Sequence, residues 1–168
     1  MTAMQLNELL RCERAQVLLD LYQRHGHAFN RVNLSTFWSS LGRVSAEVRC
    51  DDARLLPALE QTCHQVQLHT FEPRHVSNIA HALAKLDVQG REWTPLWSAL
   101  SAAALARIKL FNPQDLANTA WAFATAGCAT PALFDAIAAE SERRVLDFSP
   151  QGLANTAWAF ATAGRDFK

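Results

Sequence analysis

Residues 116–127 read LANTAWAFATAG, and residues 153–164 repeat that string letter for letter. Each copy follows a phenylalanine, at Phe111 and Phe148, and a proline two residues after it, so the period is 37 residues. A period of this length is typical of a supersecondary unit that stacks on its neighbours. The chain is therefore predicted to be a tandem repeat of such units.

Two more divergent copies precede this pair. The segment that begins at Phe71 matches the one at Phe111, and a fainter copy begins at Phe29, so the period lengthens slightly toward the N-terminus. Because an insertion inside a helix displaces its apolar face, the length differences are expected in loops, near 44–52 and 87–92. The expected organisation is an N-terminal helix of a preceding or capping unit, three repeats, and the first half of a fourth. The corresponding boundaries are 1–28, 29–70, 71–110, 111–147 and 148–168.

Each repeat is predicted to contain two helices. Asn112 suits an N-cap, Pro113 suits the first turn, and Gly127 suits the left-handed residue that ends a helix. First helices are expected at about 113–126 and 150–163. Second helices are expected at about 52–68, 94–110 and 130–146, with one N-terminal helix at about 2–24. No strand pattern is present, so the sequence predicts an all-α, right-handed α-solenoid of the armadillo or TPR type. Its two-helix repeats would be about 37 to 42 residues long.

Composition and motifs exclude several functions. The chain is 49% apolar, without an apolar run near the roughly 20 residues of a membrane span, and no targeting peptide is visible at its N-terminus. The four cysteines lack CxxC spacing; the best zinc candidates are Cys50, Cys63, His64 and His69. Cys63 and His64 are adjacent on a predicted helix and point apart, which disfavours a metal site. With no phosphate loop or nucleophile motif, we expect no catalytic residue, metal, cofactor or membrane contact, and no enzyme.

The polar side of the first helices is the candidate functional surface. Leu116, Ala120 and Phe123 share the apolar side of one first helix, and Asn118 lies on the other side. Stacking the repeats aligns a column of Thr36, Asn78, Asn118 and Asn155, with a small residue beside each. The residues predicted to line this groove are Thr36, Arg74, Asn78, Lys85, Gln114, Asn118, Thr125, Gln151, Asn155 and Thr162.

Such a groove suits single-stranded RNA, with one base per repeat and the amides reading base edges. Alternatives stay open at this stage. The asparagines also suit a buried ladder, and Trp121 and Trp158 suit packing between repeats as well as stacking on bases. Armadillo-like superhelices also bind extended peptides along the same surface, so a protein-binding scaffold and a structural spacer remain alternatives to RNA binding.

Phosphate contacts are predicted near the ends of the second helices. Arg107 and Arg144 occupy equivalent positions 37 residues apart, and Lys109 and Arg143 lie beside them. They suggest a narrow basic stripe in a chain that has 16 basic and 16 acidic residues and no net charge. A solvated helix face gives the same pattern.

The order of the predicted helices suggests a fragment of a longer protein. The chain opens on what reads as a second helix and closes after the first helix of the fourth repeat. An open end of this kind is expected to leave a face of Leu153, Ala157 and Phe160 uncovered, whereas natural solenoids end in a polar cap.

The unit Phe-x-Pro-Gln-x-Leu-Ala-Asn-Thr-Ala-Trp-Ala-Phe-Ala-Thr-Ala-Gly, at Phe111 and Phe148, resembles the octotricopeptide-type repeats. It also resembles the repeats found beside RAP domains and in the kinetoplastid RNA-editing substrate-binding complex. Its amino-acid sequence is typical of repeats in large dinoflagellate and algal proteins. The resemblance covers about residues 29–164, without a RAP domain. It implies an RNA-binding protein of the mitochondrion or chloroplast that acts in transcript stability, processing, editing or translation. The implied partners are single-stranded RNA and other proteins of an RNA-processing complex.

Overall fold

A computed structural model describes residues 2–48, 53–68 and 71–164. These ranges contain nine α-helices and no strand, which confirms the prediction of an all-α chain for them. The helices are α1 (Ala3–Leu9), α2 (Ala15–His25), α3 (Arg31–Arg43), α4 (Leu56–Gln67), α5 (Pro73–Lys85), α6 (Thr94–Arg107), α7 (Pro113–Thr125), α8 (Pro131–Arg143) and α9 (Pro150–Thr162).

The first helices end as their glycines predict. Gly127 has a φ of 66° and Gly164 a φ of 64°. After α7, the N–H of Cys128 donates to the carbonyl of Phe123 at 2.9 Å, as in a Schellman ending. Asp87 takes the same left-handed conformation after α5, with a φ of 57°, so the ending recurs at the repeat period even without glycine.

The second helices are shorter than predicted. α6 gives way to a 3-10 turn at Ile108–Leu110, and α8 is followed by one at Val145–Asp147. Ala53–Leu55 is a 3-10 turn that leads into α4. Apolar spacing continues through such turns, which is why the sequence alone extended these helices.

The prediction of a single N-terminal helix over 2–24 is wrong. α1 ends at Leu9, and the chain turns before α2 begins at Ala15. α1 packs against α3, where the side-chain amide of Asn33 donates to the carbonyl of Ala3 at 2.9 Å. The N-terminal segment is therefore a helix pair whose first member lies beside the first helix of the next unit.

The helices pack in two groups. α5 lies between α3 and α7, and α7 also contacts α9, so these four helices are side by side in chain order. α6 contacts both α4 and α8 in the same way. Buried aromatic rings join the groups: the ring centroids of Trp97 and Phe123 are 5.0 Å apart, and those of Phe134 and Phe160 are 4.9 Å apart. None of the helices in the described parts of the chain has the length and apolar character that a membrane crossing requires.

The uncovered face of α9 differs from the predicted one. Phe160 is buried, at 2% exposure, because it packs against Phe134. The exposed side chains are Ala154, Ala157 and Ala161. The equivalent alanines of α7 are buried against the next first helix. Of the three residues predicted to be uncovered, Ala157 is exposed, Leu153 is half-buried and Phe160 is buried.

Candidate nucleic-acid interface

One face of the first helices is left uncovered by neighbouring helices. On α5 it consists of Arg74, Asn78 and Lys85, which are exposed, and His81, which is half-buried. The equivalent side chains of α3, α7 and α9 are also exposed or half-buried. We call this surface the first-helix face, and it comprises Val32, Thr36, Ser39, Arg43, Arg74, Asn78, His81, Lys85, Gln114, Asn118, Trp121, Thr125, Gln151, Asn155, Trp158 and Thr162. All ten groove residues predicted from the sequence lie on it.

The asparagines of the first-helix face do not form a buried ladder. Asn78 is exposed, and Asn118 and Asn155 are half-buried. Within the described ranges, none of their three amide groups has a hydrogen-bond partner. Each amide therefore presents both a donor and an acceptor to whatever approaches the surface.

An aromatic row runs beside the asparagines. The ring centroids of His81 and Trp121 are 4.9 Å apart with an interplanar angle of 45°, and those of Trp121 and Trp158 are 6.4 Å apart at 31°. Trp121 thus packs between repeats, as the packing alternative holds, whereas Trp158 is 47% exposed. Because each ring is three residues after an asparagine on the same helix, the aromatic row lies next to the column of asparagines.

His81 is a functional candidate that the sequence interpretation missed. Burial, and secondarily the charge of Lys85, lower the pKa of His81. Its imidazole is therefore neutral at pH 7 and serves as a flat ring. The alignment that matches Phe71 with Phe111 also matches His81 with Trp121, and that match was the available signal.

The small residues predicted to open the groove are not on its surface. Ala82, Ala122 and Ala159 are buried, which corrects that part of the prediction. The reason is visible between α3 and α5, where a Cβ added to Gly42 would lie 3.0 Å from the Cβ of Ala82. These small residues let neighbouring first helices approach one another closely. They therefore set the distance between the helices and do not make room for a ligand.

A cavity of about 450 Å³ opens on the first-helix face between α1, α3 and α5. We call it the arginine cleft, because three arginines line it and no carboxylate does. Its lining residues are Asn7, Arg11, Val32, Ser35, Thr36, Ser39, Arg43, Arg74, His75 and Asn78. The structure therefore brings the predicted residues Thr36, Arg74 and Asn78 together, and it adds Arg11 and Arg43 to them.

The four predicted phosphate contacts do not lie on the first-helix face. Arg107 donates to the carbonyl of Phe71 at 3.3 Å and pairs with Glu72 at 3.3 Å. Arg144 donates to the carbonyl of Phe111, the equivalent of Phe71. Each arginine thus joins the end of a second helix to the start of the first helix in the same repeat. The structure shows a packing role for both, and their role as phosphate contacts stays a prediction.

Arg143 and Lys109 lie near an acidic side chain. Arg143 pairs with Glu140 at 2.7 Å. The hydrogen bond from Arg143 is the main reason that the pKa of Glu140 lies below its usual range, and Arg144 and Lys109 add to that effect. Two glutamates, Glu72 and Glu140, therefore offset part of the positive charge of the basic stripe inferred from the sequence.

No group of three or more His, Cys, Asp or Glu side chains is placed to hold a metal ion within residues 2–48, 53–68 and 71–164. Of the four zinc candidates, Cys50 and His69 lie outside the described residues. Burial raises the pKa of the Cys63 thiol, which disfavours the thiolate form that binds zinc.

No protein-family model matches the chain, and no curated protein is significantly similar to it.

Proposed function

We propose that the chain is a right-handed α-solenoid of the octotricopeptide type that binds single-stranded RNA along the first-helix face. One observation carries the proposal: on three successive first helices, an asparagine amide that has no hydrogen-bond partner among the described residues lies beside an aromatic ring. These pairs are Asn78 and His81, Asn118 and Trp121, and Asn155 and Trp158. The side-by-side packing of α3, α5, α7 and α9 supports the solenoid.

This pairing suits unpaired bases. An exposed asparagine amide can donate to and accept from the edge of one base, and RNA readers built from helical repeats use such side chains at one base per repeat. Aromatic rings stack on bases of any type. The amide column would then supply sequence preference, and the aromatic row would supply affinity that depends little on sequence.

The cellular role follows from the resemblance of the repeat. We propose that the bound RNA is an organellar transcript, in a mitochondrion or chloroplast, and that binding serves its stability, processing, editing or translation. Other proteins of an RNA-processing complex would be further partners.

The test measures fluorescence anisotropy of end-labelled single-stranded RNA homopolymers with the unchanged chain and two variants. The first variant changes Asn78, Asn118 and Asn155 to alanine. We expect weaker binding, a smaller difference between homopolymers, and an almost unchanged melting temperature, because these amides have no partner to lose. The control changes Gln23 to alanine, since it is an exposed amide off the first-helix face and, like the asparagines, has no hydrogen-bond partner among the described residues. Absence of RNA binding by the unchanged chain, or full affinity and preference in the triple variant, would contradict the proposal.

A protein-binding scaffold is the second candidate, and the charge balance favours it. With 16 basic and 16 acidic residues, the chain lacks the overall basic excess common in RNA-binding proteins. An extended peptide in the same groove would bond its backbone to the asparagine amides. RNA affinity should fall steeply with added salt, whereas peptide binding through amides should change little.

A further inference from the structure

We propose that the arginine cleft is an oxyanion site that holds one phosphate group of the bound strand and fixes where the strand lies. This inference rests on the proposed function. Arg11, which follows α1, Arg43 at the end of α3 and Arg74 near the start of α5 line one cavity of about 450 Å³. Guanidinium groups bind phosphate through paired hydrogen bonds, so three arginines that line one cavity match that ligand in charge and in the type of donor.

The charges of the cleft are not balanced within the described structure. Neither Arg11 nor Arg74 has a hydrogen bond or ion pair with a described residue. Arg43 donates to the Ser40 hydroxyl at 2.8 Å, which is a neutral partner. By contrast, Arg107 and Arg143, outside the cleft, are paired with glutamates. In a chain without net charge, positive charge is thus concentrated at one place on the first-helix face, and an anion would relieve its mutual repulsion.

His75 adds a neutral donor to the cleft. Its Nδ1 accepts the backbone N–H of Glu72 at 3.3 Å, so the neutral ring carries its proton on Nε2. Burial is the main cause that lowers the pKa of His75, which favours the neutral ring at pH 7. The cleft therefore combines charged and neutral donors, as phosphate sites commonly do.

The position of the cleft would set the register of the strand. Asn78 lines the cleft and is also the first asparagine of the amide column. On α7 and α9 the first-helix face carries Gln114, Thr125, Gln151 and Thr162 where α5 has Arg74 and Lys85. Cations therefore lie at one end of the face, and the exposed ring of Trp158 lies at the other. A phosphate held in the cleft would place the adjoining base beside Asn78.

The experiment compares Arg11→Gln, Arg43→Gln and the double variant with Arg91→Gln, an exposed control outside the cleft. RNA affinity is measured against salt concentration. Each cleft change should weaken binding about tenfold, and the double variant should reduce the slope of log affinity against log salt by at most about 0.7, the value for one phosphate on a single strand. Preference among homopolymers should stay the same, because phosphate contacts position a strand without reading it. A peptide nucleic acid with the same bases has a neutral backbone, so its binding should be insensitive to these changes.

A second measurement identifies the cleft directly. Inorganic phosphate, but not chloride, should shift the side-chain NMR resonances of Arg11, Arg43 and Arg74 and leave that of Arg91 in place. If RNA binds but the double variant keeps its affinity and salt slope, the cleft inference is wrong and the proposed function stands. If phosphate shifts these resonances and no RNA binds, the cleft serves a small phosphate ester, and both the strand contact and the proposed function are wrong. If phosphate shifts none of them, the oxyanion site itself is refuted.

Discussion

Asp115→Ala should lower the free energy of unfolding by about 2 to 4 kcal/mol, because one carboxylate satisfies two donors. Its oxygens accept the backbone N–H of Asn112 at 3.3 Å and the hydroxyl of Ser77 at 2.9 Å. Loss of the capping interaction costs about 1 kcal/mol. Ser77 is fully buried on α5, so its stranded hydroxyl costs about 1 to 3 kcal/mol more.

The next pair of repeats provides the control for this prediction. There, Ala117 and Gly152 occupy the positions of Ser77 and Asp115, and a Cβ added to Gly152 would lie 3.9 Å from that of Ala117. The double variant Ser77→Ala with Asp115→Ala imitates this apolar contact, so it should cost only about 1 to 2 kcal/mol, well below the sum of the single changes. Urea denaturation followed by circular dichroism gives all three values. Additive costs, or a cost of only about 1 kcal/mol for Asp115→Ala, would refute the reasoning, because Ser77 would then bond within its own helix.

Three further predictions concern stability. Gly127→Ala should cost about 1 kcal/mol in chemical denaturation, because the φ of 66° disfavours any side chain although space is free around it; a neutral result would mean that the left-handed ending does not form. Arg107→Ala with Arg144→Ala should lower the melting temperature, since both arginines bond backbone carbonyls; if they also contact phosphates, as the sequence predicts, RNA affinity should fall for every sequence alike, and unchanged affinity would contradict that role. Glu140 has a pKa below its ordinary value of 4.5 in the folded state, so its stabilising effect is present above that pH and is lost as the pH falls through the lower folded value. The difference in melting temperature between the chain and Glu140→Gln should therefore shrink in acid, and a constant difference would contradict the ion pair with Arg143.

The sequence predicted the first helices closely because their ends depend on local chemistry. Asn112 caps α7 through the N–H of Asp115, three residues away, and Gly127 ends the helix by its own backbone freedom. Such signals involve neighbours in the chain and can be recognised without a structure.

The break between α1 and α2 was missed because distant residues hold it. The backbone N–H of Ala15 donates to Glu47, 32 residues away, at 3.2 Å. The side-chain amide of Asn33 donates to the carbonyl of Ala3 at the start of α1, 30 residues earlier in the chain. Leucines at helical spacing continue through the turn, so periodicity alone could not locate it. Arg11 was missed as a cleft residue for the same reason, since its place depends on where α1 ends.

The sequence predicted the asparagines of the candidate site but not the aromatic rings beside them. His81 and Ala82 lie on opposite flanks of Asn78 on α5, and helical spacing alone does not show which flank a neighbouring helix covers. In the structure Ala82 is buried and His81 is not. The amide column could therefore be predicted from the sequence, whereas the aromatic row beside it required the packing of α5 against α3 and α7.

The contact between Gly42 and Ala82 has a consequence for how this surface can diversify. The spacing of adjacent first helices is held by buried small residues, whereas Asn78, Asn118 and Asn155 take no part in holding the helices together. Under the proposed function, the residues that space the helices and the residues that contact the ligand would therefore occupy different positions of the same repeat. Exchange of the side chain at an asparagine position, or duplication of an entire unit, would then alter which ligand binds while the distance between successive asparagine positions stays constant.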